Sequence, residues 1–269
     1  MKFRIGLTLL ALIAAAGLAA PWLGSEAFEP DLFNRYAAPS AAHWLGTDDL
    51  GRDVLARLFF GARVSLAVGL GAAMLAMVVG TAAGLLAAWS GGLADASVMR
   101  LADALLALPA LPLLVVLSAI DPGVVGLPRG EAGADIIRIA TILALFGWVG
   151  VARLVRAGAL SVLAMDYVRS ARALGVSESR LLWRHVLPAL VPPVAVATAL
   201  AVGGAILAES ALSFLGLGIA PPAASWGNML AGAQEAVFQA PLVALWPGLA
   251  ILLAVLGCSL VADGLSRRP

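Results

Sequence analysis

Few side chains in this sequence have the types and spacing that catalysis or metal binding requires. Asp48, Asp49 and Asp53 form a small acidic group, but they lack the D-x-D-x-D-G spacing and the terminal glutamate of a calcium-binding loop. His43 and His185 belong to no H-E-x-x-H zinc motif, and the sequence contains no G-x-S-x-G nucleophile motif. We therefore assign no catalytic and no metal-binding residue.

A polar stretch over residues 166–188 carries the clearest local pattern. It reads "DYVRSARALGVSESRLLWRHVLP" and contains four arginines and two acids in a chain that is otherwise highly apolar. Asp166 suits the N-cap of a short helix. Tyr167, Ala171 and Leu174 then recur at i, i+4 and i+7, which gives that helix one apolar face.

The same stretch contains signals for a turn and for a second short helix. Gly175 can adopt the left-handed conformation that ends many helices. Ser177 and Glu178 can cap and charge the start of a second helix, which is predicted to end near Arg184. Pro188 then marks the start of the next apolar segment. The stretch is thus predicted to be two short polar helices joined by a glycine turn.

The composition indicates what surrounds this polar stretch. Of the 269 residues, 62% are hydrophobic and only 12% are charged, and the mean hydropathy is +0.99, whereas soluble domains are about one quarter charged. Six apolar runs are long enough to cross a bilayer as helices, which satisfy their own backbone hydrogen bonds. They cover residues 5–23, 64–89, 98–120, 136–154, 186–207 and 241–261. The predicted fold class is all-α, a polytopic membrane protein with six transmembrane helices.

The first apolar run has two interpretations. Lys2 and Arg4 precede it, and it ends in the small residues "AGLAAP", as in a signal peptide. Its length of about 19 residues exceeds the usual apolar core of a signal peptide, and five further runs follow it. We predict an uncleaved transmembrane helix over residues 1–23, with cleavage as the alternative.

The basic residues predict the orientation of the spans, because loops rich in Lys and Arg stay in the cytoplasm. With a cytoplasmic N-terminus, the inside set is Lys2, Arg4, Arg100, Arg153, Arg156, Arg169, Arg172, Arg180, Arg184, Arg267 and Arg268. The smaller outside set is Arg35, Arg52, Arg57, Arg63, Arg129 and Arg138. Both termini are then cytoplasmic, as is the stretch 166–188. Since the basic residues are scattered through loops, no nucleic-acid partner is indicated.

The spacing of Ala171, Gly175, Leu187 and Pro188 resembles a known motif. The EAA loop of permease subunits in binding-protein-dependent ABC importers reads Glu-Ala-Ala, three residues, Gly, nine residues, an apolar residue, one more residue, and Leu-Pro. The four residues stand at the second Ala, the Gly, the Leu and the Pro of that pattern. The sequence is therefore similar to such a permease.

Three positions depart from the general EAA pattern. Arg169 and Ser170 stand at its Glu and its first Ala, and His185 stands at its apolar position. The stretch "ARALGVSESRLLWRHVLP" instead resembles the form found in the dipeptide, oligopeptide and nickel branch of these permeases, in the second, C-type subunit. The departures thus point to that branch.

Two further stretches resemble the same branch in the same order along the chain. Residues 43–69, "HWLGTDDLGRDVLARLFFGARVSLAVG", are similar to the segment before the second span of these permeases. Residues 208–230, "AESALSFLGLGIAPPAASWGNML", are similar to the segment that leaves the fifth span. The resemblance covers residues 43–264, while the C-terminal "GCSLVADGLSRRP" departs from it.

The resemblance implies the type I ABC importer transmembrane domain. On this basis, residues 64–264 form the transmembrane domain with its EAA-type loop at 166–188, and residues 24–63 form an extracytoplasmic segment. Within that segment, "DVLARLFFGARVSL" predicts an amphipathic helix at the membrane interface. The lipid-facing residues of that helix are predicted to be Leu55, Leu58, Phe59 and Phe60.

The resemblance also implies partners. A second homologous permease would complete the pore, two ATP-binding subunits would supply energy, and an extracytoplasmic solute-binding protein would deliver the solute. The sequence has no G-x-x-x-x-G-K-[ST] phosphate loop, so ATP and magnesium are expected on the ATPase subunits, with no cofactor on this chain. The expected location is the bacterial inner membrane, in contact with lipid.

In these importers the EAA loop forms a coupling helix that sits in a groove of the ATPase. The resemblance implies that Tyr167, Ala171, Leu174 and Val176 would seat there, with arginines at the rim, which is an ordinary mode of helix recognition. The residues assigned to ATPase coupling are Tyr167, Arg169, Ala171, Arg172, Leu174, Gly175, Val176, Leu187 and Pro188.

Two acids within or directly beside apolar runs are candidate pore or gating residues, because charge is costly in a membrane. Asp103 lies three residues after Arg100, which favours a structural ion pair between them. Glu209 lies near the outer end of the fifth run. It could line the translocation path or pair with a loop arginine such as Arg52 or Arg63, and the sequence leaves both open.

Prolines near the start of the fifth run are the other candidate gating residues. Pro192 and Pro193 remove backbone donors within the predicted helix and favour a bend. A moving, pore-lining helix could use that bend, and a static kink is equally consistent with it.

The solute and the broad class of protein have alternatives. We expect import of dipeptides or oligopeptides, while relatives with the same motifs carry nickel chelates, glutathione, opines or antimicrobial peptides. An intramembrane enzyme and a structural membrane scaffold are the alternatives from other classes. Substrate turnover by the purified chain would favour the first of these, and transport that is indifferent to deletion of residues 166–185 would favour the second.

Overall fold

The computed structural model describes residues 1–24, 28–120, 123 and 131–266. The predicted positions Arg129, Arg267 and Arg268 lie outside these described residues. In the described part the chain forms helices and no strand. They are α1 (Lys2–Ala19), α2 (Val54–Ser90), α3 (Gly92–Ala107), α4 (Ala110–Ser118), α5 (Ala132–Leu163), α6 (Asp166–Ala173), α7 (Glu178–Leu181), α8 (Leu187–Phe214), α9 (Trp226–Ala233) and α10 (Pro241–Ser266).

Five helical stretches within the described residues are long and apolar enough to cross a membrane. They are Lys2–Leu23, Val54–Ser90, Ala132–Leu163, Glu178–Phe214 and Pro241–Ser266. Their mean hydropathies lie between 1.8 and 2.2, as expected for spans whose backbone must be satisfied internally. The prediction of an all-α polytopic membrane protein is confirmed.

The third apolar run is a bent pair of helices rather than one straight span. α3 and α4 meet at an angle of 88° across Leu108 and Pro109. Leu108 has ψ 139°, an extended conformation, because the ring of a following proline disfavours the helical one. Pro109 is then the N-cap of α4, and the sequence "LPALP" therefore explains the break.

The bent pair still connects the two ends of the bundle. Asp95 in α3 is ion-paired with Arg156 near the C-terminus of α5, whereas the Ser118 carbonyl at the end of α4 accepts a hydrogen bond from Arg138 near the N-terminus of α5. We call the end with α6 and α7 the loop end and the end with α9 the opposite end. With this broken span, the described helices cross the bundle six times.

The most extensive helix contact is between α2 and α5, and two glycines of α2 permit their close approach. A Cβ added at Gly80 would lie 2.6 Å from the Trp148 carbonyl oxygen, and one at Gly84 would lie 2.5 Å from the Ala152 carbonyl oxygen. Small residues four apart let membrane helices approach closely, where packing rather than water expulsion holds them together. These glycines fix α5 against α2.

The predicted interfacial helix is the beginning of α2 and is not a separate element. Asp53 caps this helix, since its Oδ1 accepts a hydrogen bond of 2.7 Å from the Ala56 amide. The helix then continues without a break to Ser90. The boundary predicted between residues 63 and 64 therefore falls inside one helix.

The two ends of the described chain lie at the loop end. Lys2 Nζ at the start of α1 is 2.9 Å from Asp263 Oδ2 near the end of α10, and both side chains are about half exposed. The two helices pack against each other along their length. The described ends of the chain are thus on the same side of the bundle.

Candidate functional site

α6 begins one residue earlier than the sequence pattern predicts. Met165 is its N-cap, and Asp166 is the first helical residue, so the prediction that Asp166 caps the helix is wrong. An acid in the first turn still interacts favourably with the helix dipole, as does Arg172 in the last turn. Both charges favour this short helix.

Gly175 forms the turn that ends α6, as predicted. Its φ is +83°, and no atom lies within 4 Å of the position of an added Cβ, so the requirement for glycine here is conformational. The Val176 amide donates to the Ala171 carbonyl at 3.2 Å, and the Gly175 amide donates to the Arg172 carbonyl at 3.0 Å. These two bonds are those of a Schellman cap.

The apolar residues of this loop divide between two sides. Ala171 and Val176 pack against the chain's own buried cluster at the loop end, which includes the fully buried Val168. Tyr167 and Leu174 point away from the bundle and are 50% and 85% exposed. Of the four residues predicted to seat in the ATPase, Tyr167 and Leu174 are thus the ones that this chain presents outward, while Ala171 and Val176 are half-buried.

Arg172 is paired within the loop. Its Nε and Nη2 donate to the two carboxylate oxygens of Glu178 at 2.9 and 3.1 Å, which is the bidentate geometry that guanidinium and carboxylate favour. The pair joins α6 to α7 across the Gly175 turn. Arg169 is exposed on α6. Of the two arginines predicted at the rim of the ATPase groove, Arg172 thus forms an ion pair within the loop and Arg169 is exposed on the surface of α6.

The second short helix does not end near Arg184. α7 passes through a π-helical turn, Leu182–Val186, directly into α8. Leu187 and Pro188 are in the first turn of α8, where the missing amide of a proline is tolerated. The sequence pattern gives no sign of this continuity, which makes residues 178–214 one helical run of 37 residues.

Trp183 is a further exposed residue at the loop end that the sequence analysis missed. It lies in the π-helical turn that follows α7 and is 71% exposed. Tyr167 lies against His185 of the same turn, with ring centroids 5.8 Å apart. The sequence signal that could have identified Trp183 is an aromatic residue within a predicted docking loop, since aromatic residues are enriched at interfaces.

Pro192 and Pro193 lie inside α8 without ending it. The helix continues through both to Phe214. The local departure from α-helical geometry is the π-helical turn that precedes them, where extra residues enter the helical ladder.

Asp103 is paired with a different arginine from the one predicted. Its carboxylate contacts Arg153 of α5 and not Arg100 of its own helix. One α3 residue pairs with α5 in the same way nearer the loop end, Asp95 with Arg156. Two ion pairs therefore fasten α3 to α5.

Glu209 is fully buried and is held by serine hydroxyls. Ser65 of α2 donates to its Oε2 at 2.9 Å, and Ser213 of α8 donates to its Oε1 at 2.7 Å. Of the two alternatives left open for Glu209, pairing with Arg52 is not what the structure shows, because Arg52 pairs with Asp48 and Asp49. Arg63, the other candidate, is exposed and lines a surface pocket at the opposite end.

The chain after α8 folds back over the opposite end of the bundle. We call residues 215–233, which include α9, the cap segment. Arg138 donates to the Gly218 carbonyl at 3.0 Å, and the Ala220 amide donates to Asp135 at 3.1 Å, so the start of α5 holds the segment. Trp226 is 1% exposed, and its Nε1 donates to the Leu58 carbonyl of α2.

The acidic group of residues 48–53 pairs with neighbouring side chains. Asp48 accepts hydrogen bonds from Arg52, and Arg57 lies 3.2 Å from the same carboxylate. Asp53 caps α2 and lies 2.9 Å from the His43 ring nitrogen. Among the described residues, no group of three or more His, Cys, Asp or Glu side chains is arranged to hold a metal ion.

Comparison with known proteins places these features in a family. A model described as the binding-protein-dependent transport system inner membrane component matches residues 80–268, which include α6, the Gly175 turn and Glu209. The chain belongs to this family. The permease is therefore a transport subunit of an ABC importer and not an enzyme, and it is a multi-pass inner-membrane protein.

Two curated relatives cover nearly the whole permease. It is 39% identical over 263 residues to the glutathione transport system permease protein GsiD of Pectobacterium atrosepticum, covering 97% of this chain and 83% of that protein. It is 37% identical over 263 residues to the dipeptide transport system permease protein DppC of Alkalihalophilus pseudofirmus, with the same coverage. The predicted family and branch are confirmed.

A solved structure shares the fold of the permease. A chain of the MetNI methionine ABC transporter in inward-facing conformations has a TM-score of 0.58 and 18% identity, covering 77% of this chain and 95% of that chain. At this identity the likeness shows the fold, which is that of an ABC transporter transmembrane domain. Membership in the family also implies ATPase and solute-binding partners.

Proposed function

We propose that this permease forms one half of the pore through which a bacterial inner-membrane importer takes up peptides. A second homologous permease forms the other half, two ATP-binding subunits bind the loop end, and a solute-binding protein docks at the opposite end. ATP and magnesium are bound by the ATPase subunits. The permease contributes the pathway and the coupling surface.

The observation that carries this proposal is the exposure of Leu174 and Tyr167 on the loop between α5 and α8. Tyr167 lies in α6 and Leu174 is the C-cap of this short helix, which also contains Asp166, Arg169 and Arg172. Exposed apolar side chains at such a place favour a protein partner, because their burial removes apolar area from water. Trp183, in the π-helical turn that follows α7, is a third exposed aromatic or aliphatic side chain at the loop end. An ATPase groove that accepts an amphipathic helix fits these three side chains.

The orientation in this proposal follows from the positions of the basic residues. Arg153, Arg156, Arg169 and Arg172 lie at the loop end, which suits a cytoplasmic location. Lys2 lies at the same end, near α10. The loop end is then cytoplasmic, as the ATPase requires.

One long helical run can carry movement between the two ends of the bundle during alternating access. The continuous run Glu178–Phe214 is about 55 Å long at a rise of 1.5 Å per residue. A push on its loop end is therefore delivered to the cap segment at the opposite end. The pore alternates between an inward-facing and an outward-facing state. Binding of ATP shifts the equilibrium between them, because the closed ATPase dimer binds ATP more tightly than the open dimer.

The solute class is proposed from the relatives. Their names specify transport of glutathione and of dipeptides. Both are small peptides with a free carboxylate and a free amine, so a peptide of this size is the proposed solute. The nickel chelates and opines carried by other members of the branch are the alternative.

The test is to remove the proposed contact without disturbing the chain's own packing. Leu174→Asp introduces a charge on a side chain that is 85% exposed, so folding of the permease should be unaffected. In the assembled importer in vesicles, we expect dipeptide uptake to fall at least about tenfold, since burying an unpaired charge costs more than 1.4 kcal/mol. ATP hydrolysis should also stop responding to the solute-loaded binding protein.

The matched control is Leu93→Asp. Leu93 is 87% exposed at the loop end, on α3 and outside the coupling loop. We expect it to transport normally. Equal transport by both variants would refute docking through α6, and wild-type importer that takes up neither dipeptide nor glutathione would refute the proposed solute class.

A further inference from the structure

The buried carboxylate of Glu209 is the centre of a network that joins three parts of the chain. It lies in α8, and two of the serines that donate to it, Ser65 and Ser213, lie in α2 and α8. Each serine oxygen in turn accepts a backbone amide of the cap segment. The Trp226 amide donates to Ser65 Oγ at 3.3 Å, and the Ile219 amide donates to Ser213 Oγ at 3.0 Å. Both amides are thereby tied to the carboxylate through one hydroxyl each.

The directions of these hydrogen bonds require an acceptor at both glutamate oxygens. A serine hydroxyl carries a single proton. Because each hydroxyl oxygen already receives a backbone N–H, its proton is free to point at Glu209, and both protons do so. A carboxylate satisfies both contacts. A glutamine would present an amide donor to one of the two hydroxyl protons, and that contact would become repulsive.

The packing around the network leaves little room for rearrangement. A Cβ added at Gly227 would lie 2.5 Å from the Ser210 carbonyl oxygen, and one at Gly218 would lie 2.0 Å from Ser213 Oγ. The cap segment therefore lies directly against α8 in the turn that contains Glu209. Buried polar networks of this kind are rigid when every member is satisfied.

Glu209 lies near the end of the long helical run that is farther from the coupling loop, residues 166–188. The helical run that contains it begins at Glu178, beside the Gly175 turn, and ends at Phe214. The coupling loop is at one end of this run and the Glu209 network is at the other. The cap segment follows Phe214 directly in the chain, and the hydrogen bonds of Ile219 and Trp226 to the network hold it against the run at two further points.

We propose that Glu209 is a positioning residue that fastens the cap segment to α8 and α2, so that movement of the coupling loop opens or closes the outward end of the pore. This inference rests on the proposed importer function. It assigns to Glu209 neither contact with the solute nor a role in binding ATP. Its function is to transmit movement through Ser65 and Ser213.

The test compares Glu209→Gln with wild type in the complete importer, reconstituted in vesicles with its binding protein and a labelled dipeptide. We expect uptake to fall about tenfold, the loss typical of removing a buried charged hydrogen bond. ATP hydrolysis without binding protein should stay within about twofold of wild type, so the ATP consumed per dipeptide should rise. Glu209→Asp keeps the charge on a shorter side chain and should recover part of the uptake.

A second readout follows the cap segment itself. Ala224 is 1% exposed in that segment, and the single cysteine, Cys258, is 2% exposed in α10. In a Cys258→Ala background, the thiol of an Ala224→Cys variant should be labelled from outside faster when Glu209→Gln is also present. Glu235→Gln is the control, because Glu235 is exposed just after α9 and should change neither labelling nor uptake.

The outcomes separate this inference from the importer function. Uptake and labelling equal to wild type in Glu209→Gln would overturn the inference. A fall in uptake that only follows the amount of assembled complex, with ATP per dipeptide unchanged, would also overturn it. If Glu209→Gln does not assemble, Glu209→Asp and Ser65→Ala carry the same two readouts. Failure of wild type to transport concerns the proposed function, while the labelling of Ala224→Cys still tests the network.

Discussion

At the scale of single residues, the ion-pair and hydrogen-bond partners of the buried or membrane-embedded acids are distant in sequence and close in the folded structure. Asp103 is three residues from Arg100 but pairs with Arg153, which is 50 residues away. Glu209 accepts a hydrogen bond from Ser65, 144 residues away in the chain. Gly175 differs from these two acids, because the role of Gly175 is local. Its φ is positive, and glycine is the residue type that adopts a positive φ without strain.

The Gly175 turn gives a prediction at this scale. Gly175→Pro removes the amide that bonds the Arg172 carbonyl and fixes φ near −65°, which is incompatible with +83°. We expect the importer to assemble but to lose stimulation of ATP hydrolysis by the loaded binding protein. The measurement is ATPase activity of reconstituted importer with and without that protein.

The control for this change is Gly204→Ala. Gly204 lies in α8 with open space where a Cβ would be added, so alanine should be tolerated. Normal stimulation in Gly175→Pro would show that the geometry of the turn is not required for coupling.

At the scale of elements, three features connect the loop end to the rest of the bundle. The π-helical turn joins α7 to α8, so that the coupling loop and the long helix form one continuous element. The Gly80 and Gly84 contacts bring α2 against α5, and the ion pairs of Asp95 and Asp103 bring α3 against α5. α5 is therefore held from two sides, just before the chain enters α6.

A substitution at Gly84 tests the close approach of α2 and α5. In Gly84→Leu the side chain would meet the Ala152 carbonyl oxygen at 2.5 Å and Val155 Cβ at 2.8 Å, both in α5. Overpacking of this kind typically costs about 1–3 kcal/mol. We expect a lower midpoint of thermal unfolding for the purified permease in detergent.

Gly150→Leu is the matched control on α5. Gly150 has no atom within 4 Å of an added Cβ and is exposed on the helix surface, where leucine suits lipid. An unchanged unfolding midpoint in Gly84→Leu would mean that α2 and α5 can separate without loss of stability.

At the scale of the whole molecule, the two ends of the bundle differ in the side chains that they contain. The loop end contains the paired Lys2 and Asp263, the α3 to α5 ion pairs and the exposed apolar side chains of the coupling loop. The opposite end contains the cap segment and the Glu209 network. The proposed importer works by linking movements at these ends.

Cysteine labelling tests the orientation of the two ends. In a Cys258→Ala background, Ser179→Cys places a thiol on exposed α7, and Gln239→Cys places one on the exposed chain after α9. With a cytoplasmic loop end, a membrane-impermeant reagent added outside should modify the second variant only. Both should react once the membrane is permeabilised. The reverse pattern in intact cells would invert the proposed topology.

Much of the fold could be predicted because its causes are local. A run of apolar residues long enough for the bilayer must be helical, since lipid offers its backbone no partners. The break in the third run also has a local cause at Pro109, which sequence analysis overlooked in favour of one span. The motif spacing around Gly175 is local as well, so it predicts where the coupling loop lies along the chain.

What the sequence alone determined is the class of protein, the apolar runs that become membrane helices and the place of the EAA-like stretch along the chain, because hydropathy and motif spacing act over short stretches of chain. Only the tertiary structure decided which loop residues face outward, that α7 runs into α8, and that Glu209 is fastened to Ser65 and the cap segment. These features depend on the register in which distant helices pack. That register is fixed by the fit of whole helix surfaces, which no short window of sequence contains.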